Sequence, residues 1–202
     1  MKKALSSITL AVAVSLSISQ FALADTEAYR IDNTHSFANW SIRHVASKTS
    51  GTFSDITGKI LIDRTDLAKS SIDAKINLLS INSSNVKRDE HIQKEEYLDA
   101  AKFSEMTFVS SKIVAKNATE GTVSGIFTLH GVAKQMTFPF KVLGFGQDPW
   151  GGNRMGLEAH TVIKASDFGL AWATKPNAPV GDDIEITLLI EGVKLPAETV
   201  FK

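Results

Sequence analysis

Apolar side chains recur at every second position along most of this chain. Ala38, Trp40, Ile42 and His44 share one face of a run whose other face carries Asn39, Ser41 and Arg43. Ile56, Gly58, Ile60 and Ile62 repeat the pattern, as do Ile72, Ala74, Ile76 and Leu78. Met106 and Phe108 begin a further run, followed by Val123, Gly125, Phe127 and Leu129, then by Met136, Phe138, Phe140 and Val142. Two more runs carry Met155, Leu157, Ala159, Thr161 and Ile163, and Ile184, Ile186, Leu188 and Ile190. Strict alternation buries one face of a strand and wets the other. About eight such strands, most joined by short turns, favour a closed antiparallel barrel or a sandwich over an α/β fold.

Three stretches depart from the rhythm. Residues 84–98 hold Val86, Ile92, Tyr97 and Leu98 among many charges and predict a short helix followed by a loop. A second helical turn is expected near 165–168, and residues 144–153, rich in glycine, read as a long hairpin loop. No helix follows Gly144-Phe145-Gly146, which is therefore no nucleotide fingerprint. His130-Gly131 marks a tight turn between two runs. An eight-stranded barrel has an interior that side chains fill or leave open for one small ligand. The inward faces mix Trp40, Phe108, Phe127, Phe138 and Phe140 with Ala38, Gly58, Ala74, Gly125 and Ala159. Such mixed sizes suit a dry core and an apolar pocket equally.

The N-terminus reads differently. Lys2 and Lys3 precede a mainly apolar stretch, and Ala22-Leu23-Ala24 supplies the small-x-small pattern of a signal peptidase site. Residues 1–24 are thus expected to be a signal peptide and 25–202 one β domain located in the periplasm. Cleavage removes Lys2 and Lys3 but no acid, turning 22 basic and 22 acidic residues into 20 and 22, a net charge of −2 with histidines neutral. A chain with no basic excess has no electrostatic footprint for nucleic acid. Nothing after Asp25 is long and apolar enough for a transmembrane helix. Cysteine is absent, so neither a disulfide nor a lipid-bearing thiol is available.

Chemistry-bearing clusters are sparse. The five histidines, His35, His44, His91, His130 and His160, lack the spacing of a metal-binding helix, and no metal or cofactor is expected. Arg88-Asp89-Glu90-His91 offers a base beside an acid, or simply a solvated helix start. Asp32, His35 and Ser36 suggest part of a nucleophilic set, but Ser36 lacks the glycine-flanked setting that exposes a nucleophile. His44 shares the parity of Trp40 and Ile42. It is either an ordinary rim histidine or a polar group meeting a ligand head.

Several motifs run in order along nearly the whole mature chain: Asp32-x-x-His35-Ser36, Ile42-Arg43-His44, Gly51-x-Phe53, Arg88-Asp89-x-His91-Ile92 and Thr107-Phe108. Gly125-x-Phe127-Thr128-Leu129-x-Gly131-Val132, Asp167-Phe168-Gly169-Leu170 and Val180-Gly181-Asp182-x-Ile184 continue the series. In these the chain resembles the YceI-like family of polyisoprenoid-binding proteins. Trp40 stands where that family usually has Phe, Asn82 where Asp is usual, and Lys102 where proline is common. The resemblance implies a lipocalin-like antiparallel barrel holding a long isoprenoid-type amphiphile, without enzyme activity, as a periplasmic carrier or reservoir. Its ligand would lie against the inward-facing Trp40, Ile42, His44, Ala74, Phe108, Phe127, Phe138, Phe140 and Ala159. Asp32, His35, Arg43, Arg88, Asp89, His91 and Asp167 are the polar residues of the matching motifs. Two rivals stand beside this reading: an interaction or stress-related protein with a filled barrel, and a hydrolase or isomerase using Asp32, His35, Arg88, Asp89 and His91. Head group, chain length, pathway and homo-oligomeric state are left open by the sequence.

Overall fold

The alternating runs become eleven strands of one sheet in the computed structural model, which describes residues 26–196. The expected signal peptide and its cleavage point before Asp25 lie outside the described residues. In chain order the strands are β1 (Thr26–Ile31), β2 (Phe37–His44), β3 (Ser47–Phe53), β4 (Ile56–Asp63), β5 (Ser71–Asn77) and β6 (Ile81–Asn82). One helix, α1 (Val86–Ile92), precedes β7 (Glu105–Ala115), β8 (Glu120–Leu129), β9 (Val132–Gln147), β10 (Asn153–Lys164) and β11 (Val180–Lys194). Short 3₁₀ turns occupy Leu67–Lys69, Leu78–Ser80, Ala165–Phe168 and Ala171–Thr174.

Every pairing is antiparallel, and β11 closes the ring by meeting both β1 and β2. Ile31 of β1 faces Gly192, whereas Phe37 of β2 faces Leu189, so β1 and β2 are two halves of one stave along β11. Likewise β3 pairs with β2 and β4 with β1, and β6 pairs with β3 and β5 with β4. The eleven strands therefore form a closed barrel of eight staves, three of them broken.

Each break has a chemical cause. Ser36, fully buried, stands in for the interrupted ladder: its hydroxyl accepts from Glu191 N at 3.0 Å and donates to Glu191 O at 3.3 Å. Asp32 N donates to the same carbonyl at 2.8 Å, fastening the inserted loop to β11. The other two breaks are tied to each other. Asn77 donates from its backbone and its side chain to Asp55, both at 3.0 Å, and its side chain caps the Leu78–Ser80 turn. Such side-chain bonds replace lost backbone pairing, which a buried chain cannot leave unmade.

The helical segments fall at 86–92 and 165–168, matching the departures from alternation. The 144–153 segment differs from expectation, because β9 continues through Gln147 and the loop is confined to 148–152. Val142 pairs with Leu157 but Gly144 with Gly156, leaving Leu143 as an extra residue. That bulge shifts side-chain parity by one, so Phe145 rather than Gly144 turns toward Tyr29, whose ring centroid lies 6.3 Å away. Period-2 reading cannot follow a strand across such a shift. At the β8–β9 turn, His130 and Gly131 both have positive φ, 53° and 75°. A Cβ on Gly131 would also approach Phe103 to 2.6 Å, so glycine meets two constraints there.

The barrel is packed unevenly along its axis. Tyr29, Ile62, Leu67, Ile113, Val142 and Met155 are buried at the end where β1 begins and β7 finishes. Arg64 covers that end with its guanidinium 4.0 Å from the Phe145 ring centre. Toward the other end, where β2 stops at His44 and β11 starts at Val180, the interior opens.

Candidate functional site: a one-ended apolar cavity

The hollow end encloses a cavity of about 440 Å³, within the roughly 300–1,000 Å³ typical of small-molecule sites. Nine of the residues that alternation turns inward border it: Trp40, Ile42, His44, Ala74, Phe108, Phe127, Phe138, Phe140 and Ala159. The wall is hydrocarbon over most of its length, with Ile184, Ile186, Leu188 and Ile190 of β11 forming one side. Gly51 is small for a reason. A Cβ there would come within 2.6 Å of Trp40 Cζ2 and 2.7 Å of Asn82 O, so only glycine lets the indole lie against β3. Gly125 serves Phe108 in the same way, its would-be Cβ falling 2.7 Å from the ring.

Polar groups gather where the strands end. His44, Thr49, Arg88, His91, Tyr97 and Trp172 border the cavity there. His91, Tyr97 and Trp172 stack in sequence, with ring centroids 4.6 and 5.3 Å apart. Tyr97, Trp172 and Thr49 were not among the inward residues read from the sequence. Thr49 opposes the inward Ile42 across the ladder, and parity within β3 would have found it. Tyr97 and Trp172 lie in segments without period, where no sequence signal marks a face. His160 points the other way. It is exposed, bonded to Glu158 at 2.6 Å and Thr187 at 3.1 Å.

The remaining motif residues serve the frame. Arg43 donates to the carbonyls of Val45 and Ala178, at 3.3 and 3.1 Å, joining the β2–β3 hairpin to the segment before β11. Asp167 accepts from Lys134 at 2.9 Å, while its neighbour Phe168 packs edge-on against Phe127. Asp32 belongs to a second polar cluster, at the break between β1 and β2. Thr34 and His35 bond its carboxylate and Arg154 pairs with it, holding the acid well below the ordinary carboxylate range despite the opposing effect of burial.

Asp32, His35 and Glu191 bring three ligand-type atoms within 4.8 Å of one another. Arg154 Nη1 already touches the same oxygens, 2.5 Å from Asp32 Oδ2 and 3.0 Å from Glu191 Oε1, and its Nε lies 2.9 Å from Asp148. The positive charge that two carboxylates call for is thus supplied by a guanidinium, and the cluster reads as an ion-pair network. Nor do the rival catalytic residues converge. Arg88 and His91 border the cavity whereas Asp32, His35 and Asp89 do not, and Ser36 is bonded to Glu191 rather than to His35.

The family model described as the YceI-like domain matches residues 29–192. The chain belongs to the YceI-like family. Protein YceI of Salmonella newport (strain SL254) is 36% identical over 169 residues, covering 82% of this chain and 86% of that protein. BcnA of Burkholderia cenocepacia superposes with a TM-score of 0.71 at 21% identity, over 80% of this chain and 98% of that one. A polyisoprenoid binding domain from Saccharophagus degradans superposes with a TM-score of 0.62 at 19% identity, over 84% and 99%. Both superpositions share the YceI-like barrel. Among the described residues no helix is long and apolar enough to cross a membrane.

Proposed function

We propose that this YceI-like protein is a periplasmic carrier that buries the tail of an isoprenoid-type amphiphile in its barrel and keeps the head at the polar rim. The observation that carries this reading is the one-ended cavity: walls that are mostly hydrocarbon, with Thr161 among them, a packed floor, and its arginine and histidines near the opening. The Saccharophagus relative, described as a polyisoprenoid binding domain, supports the ligand class. Each buried CH₂ contributes about 0.8 kcal/mol, so ten would contribute roughly 8 kcal/mol, about the free energy of micromolar binding. Ordering a flexible chain offsets part of that gain. Tail recognition should therefore be tolerant. The filled-barrel alternative calls for an interior without room for a chain, and a cavity of about 440 Å³ removes that support.

The test uses the full precursor expressed in a Gram-negative host. The osmotic-shock fraction should yield protein beginning at Asp25, and organic extraction of it should release a near-stoichiometric prenyl-type lipid detectable by mass spectrometry. An empty extract, together with failure of added prenyl lipids to bind, would overturn the carrier reading. A carbonate-resistant membrane pool retaining Met1 would overturn the location.

A further inference from the structure

One charged side chain alone, among the described residues, borders the cavity: Arg88. No aspartate, glutamate or lysine shares that wall. The side-chain partners of Arg88 are both atoms of Ser83, with Nε donating to Oγ at 2.7 Å and Nη2 to the backbone carbonyl at 2.5 Å. Ser83 is itself 6% exposed, and its hydroxyl and backbone N–H donate to Asp89, so Asp89 meets Arg88 only through the shared hydroxyl and does not border the cavity. A guanidinium carries five N–H bonds. Ser83 takes one edge of it, and Arg88 forms no ion pair among the described residues. The group is thus held in a fixed orientation at the edge of a low-dielectric space, with donors to spare.

An undercompensated guanidinium there complements acceptors, above all the paired oxygens of an oxyacid, which its planar fork binds in bidentate fashion. His44, His91 and Tyr97 border the same end and add further donors without adding a negative charge. We propose that Arg88 is the specificity-determining residue of this cavity and selects an amphiphile whose head is an anionic oxyacid, a carboxylate or phosphate, over the same tail ending in a neutral alcohol. This inference rests on the carrier reading and refines it.

Delipidated full-length protein is titrated with geranylgeranoic acid, geranylgeranyl monophosphate and geranylgeraniol, three probes sharing one tail. The two anions should bind wild type at least about tenfold more tightly than the alcohol, the scale of a hydrogen bond to a charged group. Added salt should weaken the anions more than the alcohol. Arg88→Gln should bring the three affinities together, Arg88→Lys should restore part of the gap, and Lys87→Gln, on an exposed neighbour outside the cavity, should leave it intact. The wild-type comparison alone decides the matter if Arg88→Gln fails to fold. Equal wild-type affinities for acid and alcohol would overturn the role of Arg88 while leaving the carrier reading standing. Failure of all three probes would overturn the carrier reading itself. Excess inorganic phosphate should not displace the lipid acid. Displacement would show a site for the free anion rather than for a lipid head.

Discussion

His44 and His160 carry the same side chain on opposite faces of the sheet. His44 borders the cavity, whereas His160 stands in water between Glu158 and Thr187. Replacing His44 by Leu should alter the relative affinities of prenyl lipids with different heads, because a rim donor is exchanged for hydrocarbon. Replacing His160 by Leu should leave those affinities unchanged, since only an exposed pair is lost, worth less than about 1 kcal/mol. Competitive binding of prenyl alcohol against prenyl acid measures both. Equal effects would contradict the assignment of faces. The parity of His44 was legible in the sequence, but the stacking of His91, Tyr97 and Trp172 beside it was not, because Tyr97 and Trp172 lie in segments that no period governs.

The three broken staves illustrate how a motif can serve an element rather than a reaction. Asp32-x-x-His35-Ser36 resembles catalytic chemistry in one dimension, yet in the fold its residues splice β1 to β2 and tie both to β11. The carboxylate of Asp32 is held below its ordinary pKa of 3.8 by Thr34 and His35 and by its pairing with Arg154. A lowered folded value means that this stabilisation is complete above the unfolded pKa and is lost as pH falls toward the folded one. Asp32→Asn should therefore destabilise the barrel at neutral pH by about 1–3 kcal/mol, the scale of losing a charged hydrogen-bond partner. The gap from wild type should narrow once pH drops below about 4. Urea unfolding at neutral and acidic pH checks this. A gap that widened with acid would reverse the sign assigned to Asp32.

At the scale of the whole barrel, packing decides between a store and a scaffold. Ala74 and Ala159 both border the cavity, with nearby Phe108 and Phe138 rings 5.1 Å apart. Ala74→Trp or Ala159→Trp should displace bound lipid while costing less stability than the roughly 1–3 kcal/mol usual when a tight core is overpacked. Lys75→Gln, exposed beside Glu105 on the outer face, should keep the lipid. Lipid content by extraction and stability by thermal melting are read on the same samples. Large destabilisation by both tryptophans would mean that the space is not available to a ligand.

Alternation is a local consequence of strand geometry, and so the sequence by itself determined an antiparallel β fold, most of its strands and the face on which Trp40, Ile42 and Ala159 lie, while the choice of barrel over sandwich came from the motifs of the family resemblance. It missed β1, β3 and β6 because short or polar segments such as 47–53 carry little apolar signal, and it lost the end of β9 at a bulge. What only the tertiary structure decided depends on residues far apart in the chain. Inward faces of mixed size are compatible with a filled or a hollow barrel, and the outcome depends on how side chains from all eight staves meet at each level. The floor closes because Tyr29, Ile62, Ile113, Val142 and Met155 converge at one end. The other end stays open, and helix α1 sets Arg88 at its edge. Packing volume and charge placement are sums over distant residues, which no local period encodes.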